Sequence, residues 1–136
     1  MNQSKIALDS CVVIDVIEKP KVASKLKANL RGKSVKIVLC DVVLSKVYRV
    51  RGYVASFVIS KISKILGREI ELSAMEDAST ANEITNQFQI CHNGDNKILS
   101  LCQTRNFVLV TFDRMLLKTS QFVGVAAFHP FMAGGI

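Results

Sequence analysis

The stretch of residues 95–113 places the strongest constraint on how this chain can fold. Its first part has the apolar spacing of a helix, and residues 107–110 have the composition of a short buried strand. On a helix that turns about 100° per residue, Asp95 lies in the middle of an apolar arc beside Leu99 and Cys102. Burying an ionised carboxylate without a partner is costly, so Asp95 is predicted to meet a hydrogen-bond donor, a cation or a metal ion.

Two further acids follow predicted strands. Asp113 comes shortly after the buried strand, and Asp9 directly follows the apolar run 5–8. Open α/β sheets place their chemistry at the carboxyl ends of strands. Asp9, Asp95 and Asp113 are therefore predicted to converge on one crevice, provided that the first and fourth apolar runs are neighbours. A plainer alternative stays open, because Asp9 or Ser10 can also cap the helix that follows.

Short apolar runs alternate with helical patterns along the chain, which predicts an α/β fold with a mainly parallel sheet. With 136 residues, 49% of them hydrophobic, and no repeat or linker, the chain is expected to form a single domain over residues 1–136. The predicted strands are residues 5–8, 35–40, 70–72, 107–110 and 122–128. The predicted helices begin near residues 11, 20, 42, 53, 74 and 95, with a capping box at Ser73 and Glu76.

The composition also bounds the cellular setting. No apolar run reaches the ~18 residues that a membrane crossing needs, and the first residues lack a signal-peptide core, so we expect a cytoplasmic protein without a membrane partner. The four cysteines lie in apolar segments and form no CxxC pair. They are expected to be small core residues, because neither zinc binding nor disulfide formation fits this spacing.

The net charge of +7 and the pI near 9.4 suggest a polyanionic partner, nucleic acid first, although a solvated basic surface explains the charge equally well. Lys61, Lys64 and Arg68 share one face of a predicted helix. This face could contact phosphate, but a plainly solvated face is the simpler interpretation.

Lys46 is the charge that fits its predicted helix least well. The helix after the second strand has an apolar arc of about 140°, and Lys46 projects from its middle. A lysine in this position must extend to a cleft or meet a buried acid. Asp41 is the expected N-cap of this helix. The arc consists of Val42, Val43, Val47 and Val50.

Three segments resemble motifs of the PIN-domain nucleases, which include the VapC toxins. They are Leu8-Asp9-Ser10-Cys11-Val12-Val13-Ile14, Gly94-Asp95-Asn96-Lys97-Ile98 and Leu109-Val110-Thr111-Phe112-Asp113-Arg114. The resemblance implies a three-layer α/β/α sandwich and a nuclease for single-stranded RNA that depends on Mg²⁺ or Mn²⁺, whose oxygen ligands carboxylates can supply. It also implies a homodimer and an antitoxin partner.

The same resemblance assigns the site. Metal binding and catalysis would fall to Asp9, Asp95 and Asp113, because clustered carboxylates repel one another unless a cation joins them. Ser10, Lys46 and Thr111 would line the site. Candidate RNA contacts are Arg49, Arg51, Lys61 and Lys64.

Lys46 stands where the family has a glutamate. Four carboxylates would give the site a charge of −4, whereas three aspartates and Lys46 give it −2. At an effective dielectric near 20, a unit charge about 5 Å from a bound ion changes its interaction energy by roughly 3 kcal/mol, so Lys46 is expected to weaken metal binding. Two interpretations follow: a metal-dependent ribonuclease, or an inactive RNA- or protein-binding module in which Lys46 pairs with the aspartates. A flavodoxin-like nucleotide binder is disfavoured, since no glycine-rich phosphate loop follows any predicted strand.

Overall fold

The computed structural model of the protein describes residues 4–73 and 95–135, with the side chains of residues 97–132 in the second range. The strands are β1 (Ser4–Leu8), β2 (Val35–Cys40), β3 (Ile70–Ser73), β4 (Val108–Val110) and β5 (Ala127–Phe128). The helices are α1 (Ser10–Glu18), α2 (Pro20–Asn29), α3 (Asp41–Arg51), α4 (Ala55–Leu66), α5 (Asp95–Arg105) and α6 (Arg114–Phe122). A 3-10 helix spans Pro130–Gly135.

The five described strands form one parallel sheet in the order β3-β2-β1-β4-β5. The first and fourth apolar runs are neighbours, as the predicted crevice requires, with Ile6 opposite Val108 and Leu8 opposite Val110. From β1 the chain proceeds outward first to β2 and β3, and later to β4 and β5. The sheet therefore has its topological switch point between β1 and β4, where α/β proteins place ligands.

The helices cover both faces of this sheet. Helix α1 contacts α2, α3 and α4, whereas α5 contacts α6 and, near the edge of the sheet, α3. Right-handed crossovers place these two groups on opposite faces, because the chain moves across the sheet in opposite directions. The central strands are accordingly near-continuous apolar runs, with Ile6, Leu8 and Ile37 fully buried. The predicted three-layer α/β/α architecture is confirmed.

The predicted strand at residues 122–128 is wrong over most of its length, because α6 extends to Phe122 and only Ala127 and Phe128 form a strand. Helix α6 escaped prediction because its buried face includes Thr119 and Ser120. Their hydroxyls donate to the carbonyls of Met115 and Leu117 within the same helix, which satisfies them without water.

Several smaller expectations also change. Val50 is 52% exposed, so the apolar arc of α3 is narrower than predicted. Val54 is 51% exposed, and α4 begins at Ala55. Asp41 is the first residue of α3 rather than its cap, and its carboxylate accepts from the Val42 N–H at 2.8 Å. Cys11 is exposed, unlike the buried Cys40 and Cys102.

Some expectations lie outside the described residues. They are the capping box at Ser73 and Glu76, the helix after it, and the burial of Cys91. Within the described ranges, no helix combines the length and the apolarity that a membrane crossing needs.

Arg68 differs from the other basic residues of its predicted face. Its guanidinium donates to the backbone carbonyls of Leu30 and Lys33, and to that of Val35 at 3.4 Å. These carbonyls follow the end of α2 and lead into β2, so Arg68 joins the segment after α4 to the connection between α2 and β2. Arg68 is therefore a structural residue and is not available for phosphate.

We expect Arg68→Met to lower the free energy of unfolding by about 2 kcal/mol or more, because hydrogen bonds from a charged group contribute about 1.5–3 kcal/mol each. The control is Lys64→Met, an exposed lysine near the end of α4, which should change stability by no more than about 0.5 kcal/mol. Urea unfolding of both variants measures the difference. Equal losses would show that the Arg68 contacts contribute nothing specific.

Candidate active site

Asp9 lies at the carboxyl end of β1, where its N–H donates to the Val110 carbonyl at 3.0 Å. Its side chain is only 5% exposed, and both carboxylate oxygens accept hydrogen bonds. Oδ1 accepts from the Ser10 N–H and Oδ2 accepts from the Thr111 hydroxyl, each at 2.8 Å. Asp9 is thus the N-cap of α1, as the plainer interpretation predicts. Each carboxylate oxygen has two lone pairs, so these bonds leave capacity for a further ligand.

Thr111 connects the two strand ends. Its side chain is fully buried, and its hydroxyl donates to Asp9 and accepts from the Asp113 N–H at 3.1 Å. Its own N–H donates to the Phe128 carbonyl on β5 at 3.1 Å. Through this hydroxyl the structure brings the segments of Asp9 and Asp113 together at the switch point.

Asp113 is the N-cap of α6, and its Oδ1 accepts from the N–H groups of Met115 and Leu116 at 2.9 and 3.1 Å. The residue is half-buried. Among the described side chains and backbone groups, none donates to Asp113 Oδ2, so this oxygen is oriented by the cap yet available to a ligand.

Asp95 is the first residue of α5, and its side chain lies outside the described set. The rest of the predicted inward face is confirmed, with Ile98 and Leu99 fully buried and Cys102 1% exposed. Helix α5 contacts both α3 and α6, which begin at the same edge of the sheet. The position of the Asp95 carboxylate stays a prediction. The described side chains contain no group of three or more metal-ligating residues.

Two buried thiols, Cys40 and Cys102, lie near this edge. Burial raises the pKa of Cys40 to about 11. Burial, with smaller contributions from Cys40 and Asp9, raises the pKa of Cys102 further above its usual range. Both thiols therefore stay protonated at neutral pH in the metal-free protein, whereas the carboxylates and hydroxyls offer oxygen donors. Oxygen donors of this kind suit a hard divalent cation such as Mg²⁺ or Mn²⁺.

Lys46 lies on α3 between the buried Val43 and Val47, and its side chain is half-buried. No carboxylate among the described side chains lies within ion-pair distance of it. Helix α3 starts at the carboxyl end of β2, beside β1. The interpretation of Lys46 as a replacement for an acidic ligand therefore remains a prediction.

The candidate RNA contacts have different surroundings. Arg51 donates from Nε to Glu18 at 2.9 Å. Tyr53 donates to the same Glu18 oxygen at 2.7 Å, and the pKa of Glu18 is lowered first by Tyr53 and then by Arg51. Arg49, Lys61 and Lys64 are exposed. With a rise of about 1.5 Å per residue, Arg49 lies roughly 12 Å along α3 from the carboxyl edge of the sheet.

The Thr111 hydroxyl should be needed for stability as well as for position. Thr111→Val leaves a buried Asp9 oxygen without its donor, so we expect the free energy of unfolding to fall by about 1–3 kcal/mol. Thr111→Ser retains the hydroxyl and should lose clearly less. Chemical unfolding of both variants measures this, and a valine variant as stable as the serine variant would contradict the role of the hydrogen bond.

We compared the chain with known proteins. A comparison with curated proteins gave no match. Among solved structures, VapBC2 from Rickettsia felis, bound to a DNA fragment from their promoter, matches with a TM-score of 0.65 and 18% identity over 92% of this chain and 98% of that chain. VapBC-1 from nontypeable Haemophilus influenzae matches with a TM-score of 0.60 and 13% identity, over 93% and 98% of the two chains.

FitAcB from Neisseria gonorrhoeae matches with a TM-score of 0.56 and 15% identity, over 93% of this chain and 98% of that chain. Similarity at this level of identity shows a shared fold. The sequence profile described as PIN domain matches residues 6–121, from within β1 to within α6. The PIN domain profile covers most of the chain, and the shared fold brings Asp9, Thr111 and Asp113 to one edge of the sheet. The chain therefore belongs to the PIN domain family.

Proposed function

We propose that this PIN-domain protein is a metal-dependent endonuclease that cleaves single-stranded RNA. The observation that carries the proposal is the bridge from Asp9 through Thr111 to Asp113 at the switch point of the sheet. Asp95 is the first residue of α5, and α5 contacts the helices that begin at this edge, which supports assigning Asp95 to the site. The proposal treats residues 1–136 as one cytoplasmic PIN domain.

Asp9, Asp95 and Asp113 would hold Mg²⁺ or Mn²⁺, and Ser10 and Thr111 would line the site. A metal ion held there would supply Lewis-acid chemistry, activating water for attack and stabilising charge on the scissile phosphate. Thr111 orients Asp9 by its hydroxyl. The amides of α6 orient Asp113 and leave its second oxygen available.

Two helix N-termini lie beside these acids. Helices α1 and α6 begin directly after Asp9 and Asp113, and the partial positive charge at a helix N-terminus favours a nearby carboxylate. Repulsion between the acids is thereby reduced before any cation arrives. The capping role and the ligand role of these residues are compatible.

A second candidate function is a binding module without nuclease activity. The observation that favours it is Lys46, which is half-buried on the helix that starts beside the site. The family resemblance predicts that Lys46 takes the place of the second acid. An ammonium reaching the aspartates would neutralise them in place of a metal. RNA or protein binding would then remain without cleavage.

An antitoxin and a second copy of the chain are the proposed protein partners. The likeness to the VapBC structures supports the antitoxin, and a groove of about 350 Å³ between α1, α2 and α4 could hold its apolar side chains. Val16, Ile17 and Ala23 help to line this groove. The exposed Tyr48 and Val54, near the junction of α3 and α4, offer an apolar surface for a homodimer.

Asp113→Asn separates the two roles of this residue. Asparagine caps helices about as well as aspartate, so the free energy of unfolding should change by less than about 0.5 kcal/mol. RNA cleavage with Mn²⁺ should fall by more than the roughly 10- to 100-fold loss typical of a residue that only orients a metal ligand. If cleavage is retained, Asp113 is only a helix cap. Met115→Ala, at an exposed position in the first turn of α6, tests whether any local change has the same effect.

Lys46→Glu tests the charge balance of the site. Restoring an acid should raise Mn²⁺ affinity by about tenfold or more and raise RNA cleavage, because the nearby charge changes by two units. Lys46→Ala should lie between wild type and Lys46→Glu. Arg31→Glu makes the same charge change at an exposed position between α2 and β2, at the other edge of the sheet, and should have little effect. Calorimetric metal titration and cleavage assays measure both properties.

A wild type that binds Mn²⁺ and cleaves RNA as well as Lys46→Glu would place Lys46 outside the site. The binding module would be favoured as the natural function if wild type binds RNA but neither binds metal nor cleaves RNA, while Lys46→Glu gains metal binding and cleavage.

A further inference from the structure

Three aromatic side chains form a cluster directly beside Asp113. We call Phe112, His129 and Phe131 the aromatic cluster. The ring of Phe112 lies 4.9 Å from that of His129 and 6.0 Å from that of Phe131, and the last two rings are 5.1 Å apart, all edge to face. Phe112 lies in the chain between Thr111 and Asp113, so the cluster adjoins the proposed site for the scissile phosphate.

The aromatic cluster is held by hydrogen bonds from several elements. The Phe131 N–H donates to His129 Nδ1 at 3.1 Å, which orients both residues. Asn29 on α2 donates to the Pro130 carbonyl at 3.1 Å, and α2 contacts the 3-10 helix. The Thr111 N–H donates to the Phe128 carbonyl, just before His129. An aromatic ring fixed in this way loses little conformational entropy when a ligand binds.

The outer part of the aromatic cluster faces solvent. Phe131 is 40% exposed and its neighbour Met132 is 69% exposed, so this ring is not needed to fill the core. Lys25 on α2 places its Nζ over the face of the Phe131 ring, 4.5 Å from the ring centre, so this flexible side chain has to move aside for a base to stack on that face. An aromatic surface with an adjacent cation matches the two parts of a nucleotide, since the base can stack on the ring while the phosphate pairs with the ammonium.

The surrounding sequence favours a polyanion. Residues 19–40, which include α2, contain no acidic residue, and neither do residues 114–136, which include the 3-10 helix. Lys21 lies one turn before Lys25, and both are exposed. All eleven acids therefore lie in other parts of the chain. A phosphate backbone approaching Lys25 meets no acidic residue from these two segments.

We propose that the aromatic cluster and Lys25 form a subsite that stacks an unpaired base of the RNA next to the cleaved phosphate. This inference rests on the proposed function, because it takes RNA as the ligand of the adjoining acidic edge. The subsite determines specificity for single strands: a base in a duplex is already paired and stacked, so it cannot lie on Phe131. Lys25 contributes affinity without reading sequence.

The test measures binding of a single-stranded RNA oligonucleotide carrying 2-aminopurine, with EDTA present so that no cleavage occurs. Stacking quenches the fluorescence of this base. Phe131→Leu keeps an apolar side chain without a ring and should weaken binding by about 5- to 50-fold and abolish quenching. Phe131→Trp keeps the ring and should retain both. Met132→Ala, a more exposed neighbour, is the matched control and should bind as wild type does.

Salt dependence separates the two parts of the subsite. Lys25→Gln should reduce the slope of log affinity against log salt concentration by about one, whereas Phe131→Leu should leave the slope unchanged. The duplex formed with the complementary strand should bind wild type more weakly and be insensitive to Phe131→Leu.

The outcomes distinguish this inference from the nuclease proposal. If wild type cleaves RNA with Mn²⁺ but Phe131→Leu binds RNA as wild type does, the stacking subsite is overturned and the nuclease stands. If Phe131→Leu alters only the oligomeric state, the aromatic cluster is a protein contact. If binding depends on Phe131 but wild type never cleaves, the subsite stands and the nuclease fails. A wild type that binds no RNA overturns both.

Discussion

The hydrogen bond from the Thr111 hydroxyl to Asp9 is the interaction on which the arrangement of the site depends. It joins two segments 102 positions apart in the chain, and it does so in a buried place where an unpaired carboxylate would be costly. The parallel pairing of β1 with β4 brings the two residues within reach. Because the same hydroxyl accepts from the Asp113 N–H, one side chain positions both acidic segments.

The two acids at this edge combine a local and a long-range function. As N-caps of α1 and α6, Asp9 and Asp113 satisfy backbone N–H groups that would otherwise lack partners. The same contacts hold their carboxylates in one orientation, which a metal site requires. The two proposed functions assign Lys46 different roles. In the binding-module proposal its ammonium takes the place of a metal ion at these carboxylates, whereas in the nuclease proposal the metal ion does.

The basic surplus is distributed unevenly over the surface. Arg51 is paired with Glu18, and Arg68 is bonded to backbone carbonyls, so neither is simply available to phosphate. On α2, Lys25 instead lies against Phe131, next to the segment that carries Asp113. A net charge alone cannot distinguish these situations, because the pairing of each cation is decided by residues distant in sequence.

The sequence by itself determined the α/β class, four of the five strands and the identity of the acids at strand ends, because parallel strands are apolar runs and acids interrupt them visibly. It could not reveal α6, whose buried Thr119 and Ser120 hydroxyls bond within the helix, nor the exposure of Val50. Only the tertiary structure decided that Thr111 bridges the acids and that Phe131 reaches α2. Those contacts depend on strand order and on the path of the 3-10 helix, which no local pattern of residues specifies.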